Sequence, residues 1–135
     1  MAKIIWGILS ARVIIDQETN TVSYIDVIEN IAAPQFPVTL QRATLSLVWK
    51  SEKKGEELTF RIFLNWPGNT DDRVIEPDTQ ILNTPSHRFN LVLNGIKIEK
   101  PGELSFAVKQ LINDKWKPVF KFVCPIIQAE EPTTT

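Results

Sequence analysis

One cysteine, one histidine and five glycines leave little material for the chemistry that sequence motifs usually announce. With Cys124 alone there is no intramolecular disulfide and no zinc site built on several cysteines. With His87 alone there is no histidine pair to hold a catalytic metal. The glycines stand singly at 7, 55, 68, 95 and 102, so no Gly-rich phosphate cradle exists. The sequence contains no Gly-x-Ser-x-Gly and no Asn-x-Ser/Thr. Charge of one sign is also missing. Fifteen basic residues against sixteen acidic ones give a net charge of -1, without the basic excess that marks nucleic-acid binders. The cluster Lys50, Lys53 and Lys54 is interleaved with Glu52, Glu56 and Glu57. That field largely cancels, and the segment reads as a solvated loop. Long apolar runs are absent too. Ile4 to Leu9 spans six residues before Ser10, and Arg12 follows. Such a run is shorter than a secretory core and far too short for a bilayer. It reads as the first strand of a cytoplasmic protein with no membrane span.

What is present is alternation. In Leu58–Trp66 all even positions are large and apolar, and Thr59, Arg61, Phe63 and Asn65 fill the odd ones. A helical test on positions 58, 61, 62 and 65 finds only two apolar residues, so period two wins. Pro101-Gly102 opens a second such run, in which Leu104, Phe106 and Val108 share a face. Phe89, Leu91 and Leu93 form a third, and Ala43, Leu45, Leu47 and Trp49 a fourth. In the last run Trp116, Phe120, Phe122 and Cys124 fall on one side, opposite Lys117 and Lys121. Strands with one dry face indicate antiparallel sheets, because parallel strands tend to be apolar on both faces.

Turn residues divide the runs. Asp16–Thr21 separates Arg12–Ile15 from Val22–Ile28 and predicts a hairpin. Tyr24, Val27, Ile28 and Ile31 also fit one helical face, but the β-branched content favours a strand. Gly55, in the loop before Leu58, suggests a second hairpin with the Thr39–Trp49 strand. Asn113-Asp114 marks a third hairpin. Pro77 and Pro118 require edge or bulge positions. Asn94-Gly95 is a hairpin signal, yet a crossover from Leu93 to the strand after Gly102 is preferred because little chain is left for a return strand.

Four places merit a functional reading. His87 adjoins Ser86, but neighbours on an extended chain point to opposite sides, so no Ser-His dyad forms locally. His87 reads as an ordinary loop or strand-start residue. Asp71 and Asp72, with Glu76 and Asp78 beyond, place carboxylates on a loop where calcium could find oxygen ligands. The alternative is a solvated, turn-forming Asp pair. Four tryptophans raise a sugar-stacking platform, but parity puts Trp49, Trp66 and Trp116 on the apolar sides of their strands, which favours packing. Edge strands can pair with another chain, and Ile4-Ile5-Trp6, Val92, Val119 and Val123 could add apolar outer surface.

The order of motifs resembles an uncharacterised family of small bacterial single-domain β-sandwich proteins. The matching features are Ala11-Arg12 leading to Asp16 and Thr19-Asn20, then Val27 to Ile31, Phe36-Pro37, the Trp49 strand, the Gly55 turn and Pro101 to Phe106. The resemblance runs from residue 11 to about 123 and departs at Leu104, where an aromatic residue is expected. It implies a fold and carries no known activity.

Together these readings predict one all-β domain over residues 1–128, followed by a frayed tail at 129–135. The fold expected is a two-sheet antiparallel β-sandwich of seven to nine strands, immunoglobulin-like or jelly-roll in topology. Its core should hold Leu45, Leu47, Trp49, Leu58, Phe60, Ile62, Leu64, Phe89, Leu91, Leu93, Leu104, Phe106, Val108, Phe120 and Phe122. No catalytic residue and no cofactor are expected. The function expected is a non-enzymatic interaction or structural module with a protein partner or a second copy, and no nucleic acid. The alternative is a sandwich that binds calcium, lipid or carbohydrate around Asp71, Asp72, Glu76 and Asp78.

Overall fold

Alternation becomes burial in the computed structural model, which describes residues 1–130. Among the described residues there is no helix, and eleven strands form three sheets, none of them closed. The strands are β1 (Lys3–Ile15), β2 (Val22–Val27), β3 (Ile31–Ala33), β4 (Val38–Lys50), β5 (Glu56–Leu58), β6 (Phe60–Asn65), β7 (Arg73–Ile75), β8 (Gln80–Leu82), β9 (Ser86–Ile98), β10 (Gly102–Ile112) and β11 (Lys115–Gln128). The excess over seven to nine lies in the three-residue pieces β3, β5, β7 and β8. One sheet has the order β2-β1-β4-β9 and another β3-β11-β10-β6-β7, while β5 and β8 pair apart from both.

The two larger sheets share one core. Every residue expected inside belongs to it or packs against it. Phe60 of β6 meets Trp49 of β4 and Phe89 of β9, with ring centroids 5.0 and 5.1 Å apart. Gly7 on β1 lies directly against the Phe120 ring of the other sheet. A Cβ there would lie 2.6 Å from Phe120 Cε1, so only glycine fits without displacing the ring. Leu9, Leu82, Ile96, Ile98 and Ile126 complete the interior.

The β10–β11 hairpin forms as expected, and Asn113 and Asp114 both take positive φ, 51° and 61°. Positive φ at both central positions is what a two-residue type I′ turn requires. The β1–β2 hairpin also forms, with Ile15 opposite Val22. The hairpin expected around Gly55 does not. β4 and β6 lie in different sheets, and the chain between them pairs as β5 with β8. A turn residue shows that the chain reverses and does not show which sheet it enters. The crossover into β10 is present, but it starts after Ile98. β9 runs straight through Asn94-Gly95, and Gly95 takes φ +66° inside the strand. There β9 switches its buried side from Leu91 and Leu93 to Ile96 and Ile98.

Two bulges set which side chains face outward. Between β10 and β11 the register shifts at Val108/Lys109, which leaves Val119 of β11 as the extra residue and puts Pro118 at the bulge, where its missing N–H is tolerated. One extra residue reverses parity beyond it. Trp116 pairs with Leu111 and lies on the outer face, away from Phe120 and Phe122, which corrects the parity reading of the sequence. In β1 a shift between Ile4 and Trp6 puts Ile4 toward the core and Trp6 on the opposite face.

The expected tail begins without a strand at Ala129 and Glu130, although Ala129 N–H donates to the Ala33 carbonyl at 2.9 Å. The rest of that expected tail lies outside the described residues. Among the described residues no helix is long and apolar enough to cross a membrane.

Candidate functional site

The four carboxylates picked from the sequence do not come together as one loop. Asp71 and Asp72 precede β7, and Glu76 and Asp78 follow it. Extended chain of that length separates the two pairs by about 13 Å. All four are exposed. Glu76 is already engaged by Arg61, with Nε–Oε1 2.8 Å. Among the described residues no group of three or more His, Cys, Asp or Glu could hold a metal ion.

Glu76 and Asp78 do line a groove on the bare face of the five-stranded sheet. It measures about 320 Å³, and Thr59, Arg61, Pro77 and Trp116 complete most of its wall. The Arg61 guanidinium lies 3.9 Å from the Trp116 ring centroid. One row further along, Lys109 Nζ sits 4.9 Å from the Phe63 centroid. Cations over aromatic faces are attracted by the ring quadrupole, and this lets Arg61 and Lys109 stand opposite each other on neighbouring strands. Trp116 escapes a sequence reading that carries period two across the bulge. Pro118 is the signal that could have found it, since a residue that forces a bulge also reverses the faces.

His87 stands opposite Trp49 at the first end of β9. Ser86 is on the other side of the strand, so the pair forms no dyad. His87 Nε2 and Trp49 Nε1 are both buried without a hydrogen-bond partner among the described residues. Burial pushes the His87 imidazole below its ordinary value. Cys124 is fully buried, and burial raises its thiol. A thiol raised this way is a poor nucleophile. Glu56 is the buried carboxylate, and it is satisfied. Its oxygens accept from the Met1 amine at 2.8 Å and from Glu52 N–H at 3.0 Å, and these bonds hold it below the usual carboxylate range.

The remaining feature is an edge. Each large sheet has two outer strands. Three of the four are short: β2 with six residues, β3 with three and β7 with three. The fourth, β9, has thirteen. β2 carries Asp26 at φ 54°, and β7 is followed by Glu76-Pro77. Short length, charge, proline and local distortion are the usual protections of a sheet edge. Residues 86–94 of β9 contain no proline, no glycine and one arginine. That Arg88 turns onto the outer face of its sheet, where its Nε donates to Tyr24 Oη at 3.0 Å. Phe89 and Leu91 are half-buried, Asn90 is exposed, and Val92 is 44% exposed. The sequence marked Val92 as outer surface. It held no sign that β9 would be last in its sheet, because strand order is set by distant pairing.

The chain is thus all-β among its described residues, with two large sheets on one core and one long edge strand, β9. The chain belongs to the Family of unknown function (DUF6941), which matches residues 7–122. The match runs from Gly7 within β1 to Phe122 within β11 and includes all of β9. No curated protein matches the chain.

Proposed function

We propose that this protein is a non-enzymatic interaction module that receives an extended strand of a protein partner along β9. The observation that carries the reading is the contrast between one long unprotected edge and three short protected ones. Strand addition draws affinity from main-chain hydrogen bonds and selectivity from alternate side chains. On β9 alternate residues direct N–H and C=O groups away from β4. The half-buried Phe89 and Leu91 favour an incoming strand with apolar residues on the core side, and the exposed Asn90 favours polar residues on the other. The same proposal takes the two sheets as a sandwich of immunoglobulin-like or jelly-roll kind, which their shared core supports. It places the protein in a bacterial cytoplasm, in keeping with the resemblance of its motif order and its single cysteine.

Affinity capture from the source cells, followed by hydrogen exchange on the captured complex, tests the reading. Protection of alternate amides within 86–94 is the expected result. A partner that leaves those amides exchanging freely would overturn it.

A ligand-binding role has one observation in its favour, the outward Trp116 beside Arg61, Glu76 and Asp78. Titration with cellohexaose should then quench or enhance tryptophan emission in the native chain and not in Trp116→Phe. An unchanged spectrum in both removes this reading.

A further inference from the structure

We infer that the strand received along β9 is β9 of a second copy, paired antiparallel about a two-fold axis at Asn90. The inference rests on β9 being a docking edge and names its occupant. The free segment is bounded by Pro85 on one side and by Gly95, at φ +66°, on the other. Its nine residues, 86–94, are centred on Asn90. An antiparallel copy centred there pairs the whole segment, and any other register leaves residues unpaired at both ends. Registers with the axis between two residues set an inward side chain against an outward one and break the pleat.

The segment suits its own image, as an isologous contact must. Phe89 meets the partner's Leu91, so two half-buried apolar side chains cover each other and the core row continues across the axis. Asn90 meets the partner's Asn90, two amides whose Oδ1 atoms each accept from their own Ser46 at 2.6 Å and whose Nδ2 groups can donate across the axis. Arg88, the one side chain of the segment charged at neutral pH, meets the partner's Val92 on the outer face. The two arginines stay about 13 Å apart along the strand direction. The sole register that sets them face to face is centred on Arg88, two residues from Asn90, and pairs only residues 86–90 of the segment. Two four-stranded sheets thereby become one continuous sheet, and the edge that β9 exposes is used up.

The register makes opposite predictions for two changes at one exposed position. Val92→Lys places a cation against the partner's Arg88 on each side of the axis, and Val92→Glu places an anion there. Directly opposed like charges are unfavourable and opposed unlike charges favourable. Sedimentation equilibrium across a dilution series should show a dimer, weakened about tenfold or more by Val92→Lys and not weakened by Val92→Glu. Asn90→Cys should give an oxidised dimer across the axis, since the native Cys124 is fully buried. Far-UV circular dichroism checks that each variant is folded. A wild-type chain that stays monomeric at every concentration overturns the second copy. If a different captured partner then protects amides 86–94, the docking reading stands while this inference fails. If nothing protects them, both fail. A dimer that is indifferent to both Val92 changes, and that Asn90→Cys does not cross-link on oxidation, also overturns the proposed pairing.

Discussion

The two large sheets have contrasting outer faces. In the four-stranded sheet, β4 is buried on both sides from Ala43 to Trp49. In the five-stranded sheet, β10 is buried on one side only, with Leu104, Phe106, Val108 and Gln110 inward and the intervening residues half-exposed. The difference comes from the β1–β2 hairpin. β1 pairs with β4 through residues 3–10, and with β2 through residues 10–15. Trp6, Val48 and Arg88 form one row across the outer face. Tyr24 of β2 touches both ends of that row, the Trp6 ring at 5.5 Å and Arg88 Nε at 3.0 Å. The hairpin therefore folds back over its own sheet and covers Val48. Ser46, fully buried beneath it, donates to Asn90 Oδ1 at 2.6 Å. Nothing similar covers the other sheet among the described residues, where Arg61 and Lys109 lie over Trp116 and Phe63 in place of a second layer. A central strand can thus be dry on one face or on two, and the choice lies with a hairpin far from it in sequence.

Substitutions on the inner, covered and bare faces should differ in cost. Phe106→Ala, on the inner face that both sheets share, should cost about 3–5 kcal/mol in urea denaturation. A midpoint that hardly moves would show that β10 does not face the core. Val48→Lys on the covered face should cost about 3 kcal/mol or more, because the ammonium is buried directly beside Arg88 and without an anion. Ala107→Asp on the bare face should cost less than about 1 kcal/mol. Equal losses for the two would mean that the hairpin does not cover its sheet. Gly7→Ala, which presses on Phe120 and Leu47, should cost about 1–3 kcal/mol by thermal melting. An unchanged melting temperature would refute the close approach of the sheets at that point. Tyr24→Phe removes the hydroxyl that accepts from Arg88 and should cost about 1 kcal/mol.

The smallest expected effect depends on pH. The folded His87 imidazole is held below its unfolded value by burial, so the unfolded chain binds a proton first. Stability should be complete above about pH 6.5 and should fall as the pH drops through that value. His87→Gln should flatten the profile over that window. An identical slope in both chains would assign the dependence to other groups.

Much of the strand content was legible because alternation is a local property. Phe60, Ile62 and Leu64 announce a dry face within six residues, and β6 shows that pattern residue by residue. The turn at Asn113-Asp114 was equally local. The departures share one cause. Parity alone puts Trp116 inward, and the bulge at Pro118 reverses that parity in mid-strand. The chain around Gly55 reads as a hairpin because a turn does not specify its destination sheet. The carboxylates Asp71, Asp72, Glu76 and Asp78 look clustered in sequence because β7, only three residues long, leaves too short a pattern to be seen between them. The open edge of β9 had no sequence signal, since being last in a sheet is a fact about which strands are absent beside it.

By itself the sequence determined that the chain is all-β, the central part of its core on β4, β6, β9, β10 and β11, and that it has one thiol and one imidazole to work with. Those follow from side-chain period and composition, which need no knowledge of distant contacts. Tertiary structure alone decided which strand lies at the edge, which face is covered, and which aromatic ring turns outward. Each of these depends on pairing between segments tens of residues apart, and the energy that selects the pairing belongs to the assembled core.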